Sequence, residues 1–125
     1  MGHSIKILIV DDHPKVLSQI ETRLAHEGDF KVVGKAADAK QAVDCALACQ
    51  PEIILIDPVM DDGMGLEAIK HIMTTLPSVV IVVLTAFVDT ALQMELGKIG
   101  VQQILEKGVD SQELIDALRK VAEVI

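Results

Sequence analysis

Residues 5–12 read Ile-Lys-Ile-Leu-Ile-Val-Asp-Asp, an apolar run that is broken only by Lys6 and ends in two acids. A short run rich in Ile, Val and Leu is typical of a β-strand covered on both faces of a parallel sheet. Similar runs recur later in the chain, and each of them also leads into a polar residue. These are Ile53–Ile56 before Asp57, Val79–Leu84 before Thr85, and residues 101–105 before Glu106 and Lys107.

Stretches with the apolar spacing of amphipathic helices lie between and after these runs. Pro14 suits the first turn of a helix, and Asp38 and Asp110 can accept hydrogen bonds from the first N–H groups of two others. Strand and helix patterns therefore alternate five times along the chain. Strands are predicted at 5–10, 31–36, 53–56, 79–84 and 101–106, and helices at about 14–27, 39–49, 65–75, 89–97 and 111–124.

Five such units joined by right-handed crossovers predict an α/β fold, a flavodoxin-like, doubly wound (βα)5 sandwich around a five-stranded parallel sheet. The common strand order is 2-1-3-4-5, and residues 31–36, the least apolar run, suit an edge. The carboxyl ends of the strands share one side of such a sheet, and its ligand crevice lies between strands 1 and 3, where the order reverses. Asp11, Asp12 and Asp57 are therefore expected in one crevice.

The composition limits the kind of protein. The chain has 125 residues, half of them hydrophobic, which suits one domain over 1–125 with its own core. Residues 1–4 are assigned no role, as expression-derived or disordered residues. The apolar runs are far shorter than the roughly 20 residues of a membrane-spanning helix. A net charge of −8 argues against nonspecific nucleic-acid binding, which needs basic surface.

Two cysteines, Cys45 and Cys49, lie four residues apart on a predicted helix. A metal or redox pair is conceivable, but no second pair completes a zinc site, so half-buried small side chains are the favoured interpretation. Free cysteines of this kind suit a reducing, cytoplasmic setting.

Three carboxylates in one crevice repel each other unless a cation lies among them. Mg²⁺ is expected, because it is a hard ion usually held by one or two carboxylates with water and phosphate oxygens. The alternative is that Asp11 and Asp12 merely cap the helix that begins near Pro14. Asp57 is the best nucleophile of the three, since a carboxylate can accept a phosphoryl group as an aspartyl-phosphate.

The other strand-end residues suit the same chemistry, since phosphoryl transfer mainly requires positioning and charge neutralisation. Lys107 would supply a positive charge, and Thr85 would supply a hydroxyl donor. Backbone N–H groups of the loop after Asp57 could contact further phosphoryl oxygens. The glycines of segment 58–65 suit the tight turns that such a loop needs.

With these residues, the chain resembles the receiver domain of two-component response regulators over nearly its full length. The start of the chain and the segment after Lys107, Gly-Val-Asp-Ser-Gln-Glu-Leu, are most similar to the NarL/LuxR-type branch. The matching motifs are Ile-Leu-Ile-Val-Asp11-Asp12-His-Pro, Ile-Ile-Leu-Ile-Asp57-Pro-Val-Met60, Val-Val-Leu-Thr85-Ala86 and Ile-Leu-Glu-Lys107-Gly.

The resemblance implies a phosphorylated switch rather than a turnover enzyme. Its partner would be a histidine kinase or a phosphotransfer protein in the cytoplasm, with no membrane contact. A homodimer is one implied assembly, and DNA would be contacted only through a separate C-terminal output domain that is missing here. The implied roles are Mg²⁺ binding by Asp11, Asp12, Asp57 and the Val59 backbone carbonyl, phosphoryl acceptance by Asp57, a switch hydroxyl on Thr85, and phosphate contact by Lys107.

Several positions depart from the family pattern or vary within it. Asp61 and Ile104 motivate an alternative, a degenerate receiver that acts as a phosphorylation-independent interaction module. Val59 and Phe87 flank the site and are apolar, so they are expected to hinder an attacking water and slow autodephosphorylation. The departures are Asp61 where proline is usual, Met64 where Asp or Asn is usual, Ile104 where an aromatic residue is usual, and Gly108 where proline is common.

Other functions fit the sequence less well. Asp11-Asp12-His13 begins a cobalamin-binding motif, but Val16 stands where that motif needs glycine. An aspartate-nucleophile phosphatase needs a second Asp two residues after the nucleophile, and Val59 occupies that position. The acidic first loop argues against a flavin-binding module, and there is no Walker-type nucleotide motif.

Overall fold

The computed structural model describes residues 4–101 and 103–125, and in these ranges strands and helices alternate as predicted. The described elements begin and end within two residues of the predicted bounds. The predictions for residues 1–3 and for Gln102 lie outside the described residues. The elements are β1 Ile5–Val10, α1 Pro14–Ala25, β2 Phe30–Ala36, α2 Ala39–Cys49, β3 Ile53–Ile56, α3 Gly65–Thr75, β4 Val80–Thr85, α4 Thr90–Lys98, β5 Gln103–Glu106 and α5 Ser111–Ala122.

The five strands are parallel and lie in the order β2-β1-β3-β4-β5, which confirms the predicted topology. Strand β2, which contains Lys31, Gly34 and Lys35, lies at an edge, also as predicted. The strand order reverses between β1 and β3, whose register pairs Val10 with Ile56. Asp11 and Asp57 directly follow these two residues, so the register brings both acids to the same part of the carboxyl edge.

Helices cover both faces of the sheet, which explains why its central strands contain few polar residues. Alternate residues of β1 belong to the two hydrophobic clusters on opposite faces of the sheet. Leu8 and Val10 pack with α2, α3 and α4, whereas Ile7 and Ile9 pack with α1 and α5. All four side chains are at most 2% exposed. Polar chemistry on the central strands is therefore restricted to their ends.

Carboxylates cap three of the helices. Asp38, Asp89 and Asp110 each accept a hydrogen bond of 2.7–2.8 Å from the N–H group three residues further on. Capping by Asp38 and Asp110 agrees with the sequence prediction. Within the described ranges, no helix combines the length and apolar character that crossing a membrane requires.

The cysteines Cys45 and Cys49 are half-buried on α2 and face the edge strand β2. Cys49 Sγ lies 3.4 Å from the carbonyl oxygen of Val33. Burial raises the pKa of the Cys45 thiol, with a smaller contribution from Cys49, and this favours the protonated thiol. The arrangement agrees with small packing residues rather than a metal pair.

Candidate functional site

The carboxyl edge of the sheet collects the polar residues that follow the strands. Sheet pairing continues past the strand ends, because Asp57 N–H donates to the Val10 carbonyl at 3.0 Å and Lys107 N–H donates to the Thr85 carbonyl at 2.7 Å. Asp11, Asp57 and Thr85 are 2–3% exposed, and among the described residues they are the buried polar ones. Burial of polar side chains is therefore concentrated at this edge.

Lys107 connects two of the acids. Its Nζ lies 2.6 Å from Asp11 Oδ2 and 2.8 Å from Asp57 Oδ2, and its side chain is only 18% exposed. Burial opposes the charge of Lys107, but the hydrogen bonds to Asp11 and Asp57 outweigh it and raise the pKa of the lysine. The ammonium group is thus held between the two carboxylates, in its charged form.

The two oxygens of Asp12 have different surroundings. Oδ2 accepts the backbone N–H of Asp61 at 2.8 Å. Oδ1 is buried and receives no hydrogen bond, although His13 Nδ1 lies 3.1 Å away. A buried carboxylate oxygen without a donor is costly unless another positive group contacts it. Asp12 Oδ1 therefore suits a cation.

His13 lies over the acid pair with most of its side chain exposed. Its Nδ1 is 2.7 Å from Asp11 Oδ1, and its backbone N–H donates to the same oxygen at 2.9 Å. The hydrogen bond and charge of Asp11 raise the pKa of His13 above 6.5, against an opposing effect of Lys107. One potential ligand atom from each of Asp11, Asp12 and His13 lies within 4.8 Å of the others.

Helix capping does not account for the two acids. The residue that caps α1 is His13, and its side chain accepts no hydrogen bond from the first N–H groups of this helix. The hard oxygen donors and the buried Oδ1 of Asp12 fit Mg²⁺ chemically.

The loop after β3 is held by several hydrogen bonds. Val59 N–H donates to Asp57 Oδ1 at 2.9 Å, which orients that carboxylate. Gly63 N–H donates to the Met60 carbonyl at 3.0 Å and closes a turn. Gly65 packs so tightly against the backbone of Pro58 that a Cβ atom would not fit there. These hydrogen bonds and this close contact therefore hold the loop in one conformation.

Asp62 fixes the far end of this loop. Its Oδ2 accepts the N–H of Ala39, the first residue of α2, at 2.8 Å, and its Oδ1 accepts the N–H of Met64 at 2.9 Å. These bonds, first from Ala39 and then from Met64, lower the pKa of Asp62. Met64 occupies the capping position of α3 without a capping side chain, and Asp62 binds the N–H of Met64 itself.

The hydrogen bonds of this loop were not predicted from the sequence. Asp61 departs from the family pattern, but its side chain is exposed and its N–H makes the contact with Asp12. The contacts of Asp62 were not predicted either. The available signal was the absence of proline at position 61, since proline has no N–H to donate.

Residues that flank the site differ in their environment. Val59 and Phe87 are 62% and 73% exposed, so both side chains are accessible from solvent. Ile104 pairs with Val83 across the sheet and packs, half-buried, against the core on the α2–α3–α4 face. An aliphatic side chain thus occupies the β5 position where the family usually has an aromatic ring.

The comparison with known families identifies the class of protein. The family model for the response regulator receiver domain matches residues 7–119, and the chain belongs to this family. It is 35% identical over 117 residues to the response regulator protein VraR of Staphylococcus aureus (strain NCTC 8325 / PS 47). That alignment covers 94% of this chain and 56% of VraR, so the chain spans little more than half the length of this relative.

Solved structures agree with the family. The isolated receiver domain of RcsB from Salmonella enterica serovar Typhimurium, determined with the phosphomimetic BeF3⁻, has a TM-score of 0.86 and 26% identity. The similarity covers 97% of this chain and 90% of that one. The receiver domain of the response regulator NarL from Mycobacterium tuberculosis shares the fold, with a TM-score of 0.90, 21% identity and 98% coverage of both chains. The predicted resemblance to receiver domains is confirmed by the family model.

Proposed function

We propose that this chain is the phosphorylated switch of a cytoplasmic two-component system, with Asp57 as the phosphoacceptor and Mg²⁺ as its cofactor. The observation that carries the proposal is the position of Lys107 Nζ, 2.6 Å from Asp11 Oδ2 and 2.8 Å from Asp57 Oδ2. With Asp12, three carboxylates and one ammonium have a formal charge of −3 + 1 = −2. A site of this charge favours a divalent cation over an empty pocket.

The proposed ligands of the cation are Asp11, Asp12, Asp57 and the backbone carbonyl of Val59. The buried Oδ1 of Asp12 supports this, because it receives no hydrogen bond from the protein. When bound, Mg²⁺ supplies charge neutralisation for the phosphoryl oxygens during transfer.

The proposed phosphodonor is the phosphohistidine of a histidine kinase or a phosphotransfer protein. A carboxylate oxygen of Asp57 forms the new P–O bond while the P–N bond to the donor breaks. The imidazole nitrogen of the donor keeps the electron pair and takes up a proton. Val59 N–H holds the Asp57 carboxylate in one orientation, and Lys107 offers its ammonium group to the incoming phosphoryl oxygens.

Phosphorylation is proposed to shift an equilibrium between two states of the loops after β3 and β4. Thr85, buried at the end of β4, offers a hydroxyl that can donate to a phosphoryl oxygen. The affected surface would be α4, β5 and α5, or α1 with α5 in a homodimer. The protein would act as a switch, with no turnover of a separate substrate.

Contact with DNA is proposed to go through a separate C-terminal output domain. The net charge of −8 disfavours direct binding of this domain to DNA. The partial coverage of VraR, 56% of its length, is consistent with further sequence in the whole protein. A helix-turn-helix segment in the reading frame beyond Ile125 would support this point, and a stop codon there would refute it.

Phosphoryl labelling tests the assignment of Asp57. We expect a small phosphodonor such as acetyl phosphate to label the chain when Mg²⁺ is present and not in EDTA, and Asp57→Asn to abolish the labelling. Asp44→Asn is the matched control, because Asp44 is an exposed acid on α2 paired only with Lys40 on the surface. Undiminished labelling of Asp57→Asn would refute the assignment. Absence of labelling in the unchanged chain would favour a phosphorylation-independent interaction module.

A further inference from the structure

The Asp12 carboxylate is the starting point, because its two oxygens are in unequal surroundings. Its side chain is 15% exposed. Oδ2 accepts the peptide N–H of Asp61 at 2.8 Å, whereas Oδ1 is buried and accepts no hydrogen bond. Oδ2 is therefore satisfied by a hydrogen bond from the protein, whereas Oδ1 has His13 Nδ1 at 3.1 Å but no hydrogen bond, and can accept a cation.

We propose that the peptide N–H of Asp61 is a positioning donor that holds Asp12 so that Oδ1, and not Oδ2, ligates the divalent cation. This inference rests on the cation site of the proposed function and adds what controls its affinity. Carboxylate ligands of metal ions are commonly oriented by hydrogen bonds from outside the coordination sphere, and loss of such a partner typically lowers metal affinity about 10–100-fold. The donor here is a backbone group, so the Asp61 side chain is not required for it.

Asp62 holds this donor in place. Its two carboxylate oxygens bind the N–H groups of Ala39 and Met64, at 2.8 and 2.9 Å. The loop is thus attached to α2 on one side and to the start of α3 on the other. The Asp61 N–H belongs to the peptide bond between Met60 and Asp61, one residue before the Asp62 anchor, so the anchor restricts where that donor can point.

The turn around Asp61 allows the N–H and the carboxylate of this residue to be removed separately. Gly63 N–H donates to the Met60 carbonyl, so Asp61 is the second residue of a four-residue turn. Proline is favoured at this position of common turns, because its fixed φ suits them. Asp61→Pro therefore removes the N–H while keeping the turn, and Asp61→Ala removes the carboxylate while keeping the N–H.

Calorimetric titration with MgCl2 tests the inference on the whole 125-residue chain, which has no Trp or Tyr to report binding by fluorescence. We expect Asp61→Pro to weaken Mg²⁺ binding about tenfold or more. Asp61→Ala should stay within about threefold of the unchanged chain at physiological salt, since an exposed charge is strongly screened. The Mg²⁺ affinity of Asp62→Ala should lie between those of the two Asp61 variants, because this change loosens the donor without removing it.

Equal Mg²⁺ affinity of the Asp61→Pro and Asp61→Ala variants would overturn the inference. This holds whether both variants bind Mg²⁺ as tightly as the unchanged chain or both bind it equally more weakly. Should Asp61→Pro fail to fold, as judged by circular dichroism, amide hydrogen exchange of the unchanged chain gives an independent answer. The Asp61 amide is expected to be protected, and its protection to be lost in Asp12→Ala. An unprotected Asp61 amide, or protection that survives Asp12→Ala, would also overturn it.

The Mg²⁺ titration of the Asp61 variants and the phosphoryl labelling of Asp57 can fail independently of each other. Loss of labelling in Asp57→Asn with no difference between the two Asp61 variants would leave Asp57 as the phosphoacceptor and remove only the positioning role. Failure of the unchanged chain to bind Mg²⁺ would remove the cation site, and this inference with it.

Discussion

Lys107→Met is the substitution that tests most directly how the site is held together. The change keeps a long unbranched side chain and removes the ammonium group that lies 2.6 Å from Asp11 Oδ2 and 2.8 Å from Asp57 Oδ2. Both acids have side chains only 4% exposed; Asp57 would lose its ammonium partner, and Asp11 would keep His13 Nδ1 at 2.7 Å. Removal of one partner from a buried ion pair typically costs 3–5 kcal/mol, and the 18% exposure of Lys107 favours the lower end, about 3 kcal/mol.

The assay is thermal unfolding in EDTA, followed by far-ultraviolet circular dichroism. For a chain of this size, about 3 kcal/mol corresponds to a decrease in Tm of roughly 10 °C. In excess Mg²⁺ the difference should narrow, because the site without the ammonium group is more negative, binds the cation more tightly and is therefore stabilised more than the unchanged chain. The narrowing separates an electrostatic cause from a loss of packing, which Mg²⁺ would not restore.

Lys40→Met is the matched control for this experiment. Lys40 Nζ also pairs with a carboxylate, Asp44 Oδ2 at 2.9 Å, but both side chains are exposed. An exposed pair of this kind contributes little to stability, so no resolvable change in Tm is expected. An electrostatic cause is refuted if Lys107→Met is as stable in EDTA as the unchanged chain, or if its loss of stability is the same with and without Mg²⁺.

Three further predictions concern pH, packing and the lifetime of the phosphorylated form. The pKa of Lys107 is raised above its ordinary 10.5, so its stabilising effect is fully present below pH 10.5 and is lost as the pH rises through the higher folded-state pKa. Unfolding measured as a function of pH should therefore show a loss of stability at alkaline pH that Lys107→Met lacks. Gly65→Ala should lower the free energy of unfolding by about 2 kcal/mol or more in urea titration, because its Cβ meets backbone. Gly97→Ala, with open space around it, should instead raise it by about 0.5–1 kcal/mol. Val59 and Phe87 predict slow hydrolysis of the labelled chain, and decay within seconds would contradict this.

Sequence predicted the fold and the composition of the site for a physical reason. The central strands are buried on both faces, so their residues must be apolar and polar residues can follow only at the ends. A polar residue directly after such a run, as with Asp57 or Thr85, is therefore informative about position as well as chemistry. The strand order then determined which of these ends are neighbours.

Sequence could not predict how the loop after β3 is bonded. The N–H of Asp61 contacts a carboxylate 49 residues earlier in the chain, and this depends on the register of β1 with β3 and on the turn at Met60. A sequence pattern describes side chains, whereas the donor here is a backbone group. The link from Asp62 to Ala39 escaped prediction for a similar reason, because it joins two loops that only the sheet brings together.

The backbone of Thr85 is immobilised by its neighbours. Thr85 pairs with Glu106 in the sheet, and its carbonyl accepts the Lys107 N–H at 2.7 Å. A new charge on Asp57 therefore cannot draw the peptide at this position toward it without breaking sheet hydrogen bonds. The hydroxyl can move only by rotation about χ1, which for a β-branched residue is confined to a few discrete staggered angles. With Asp57 phosphorylated as proposed, we expect the response at this residue to be a jump between rotamers, with an amplitude set by the covalent geometry of threonine rather than by the strength of the stimulus.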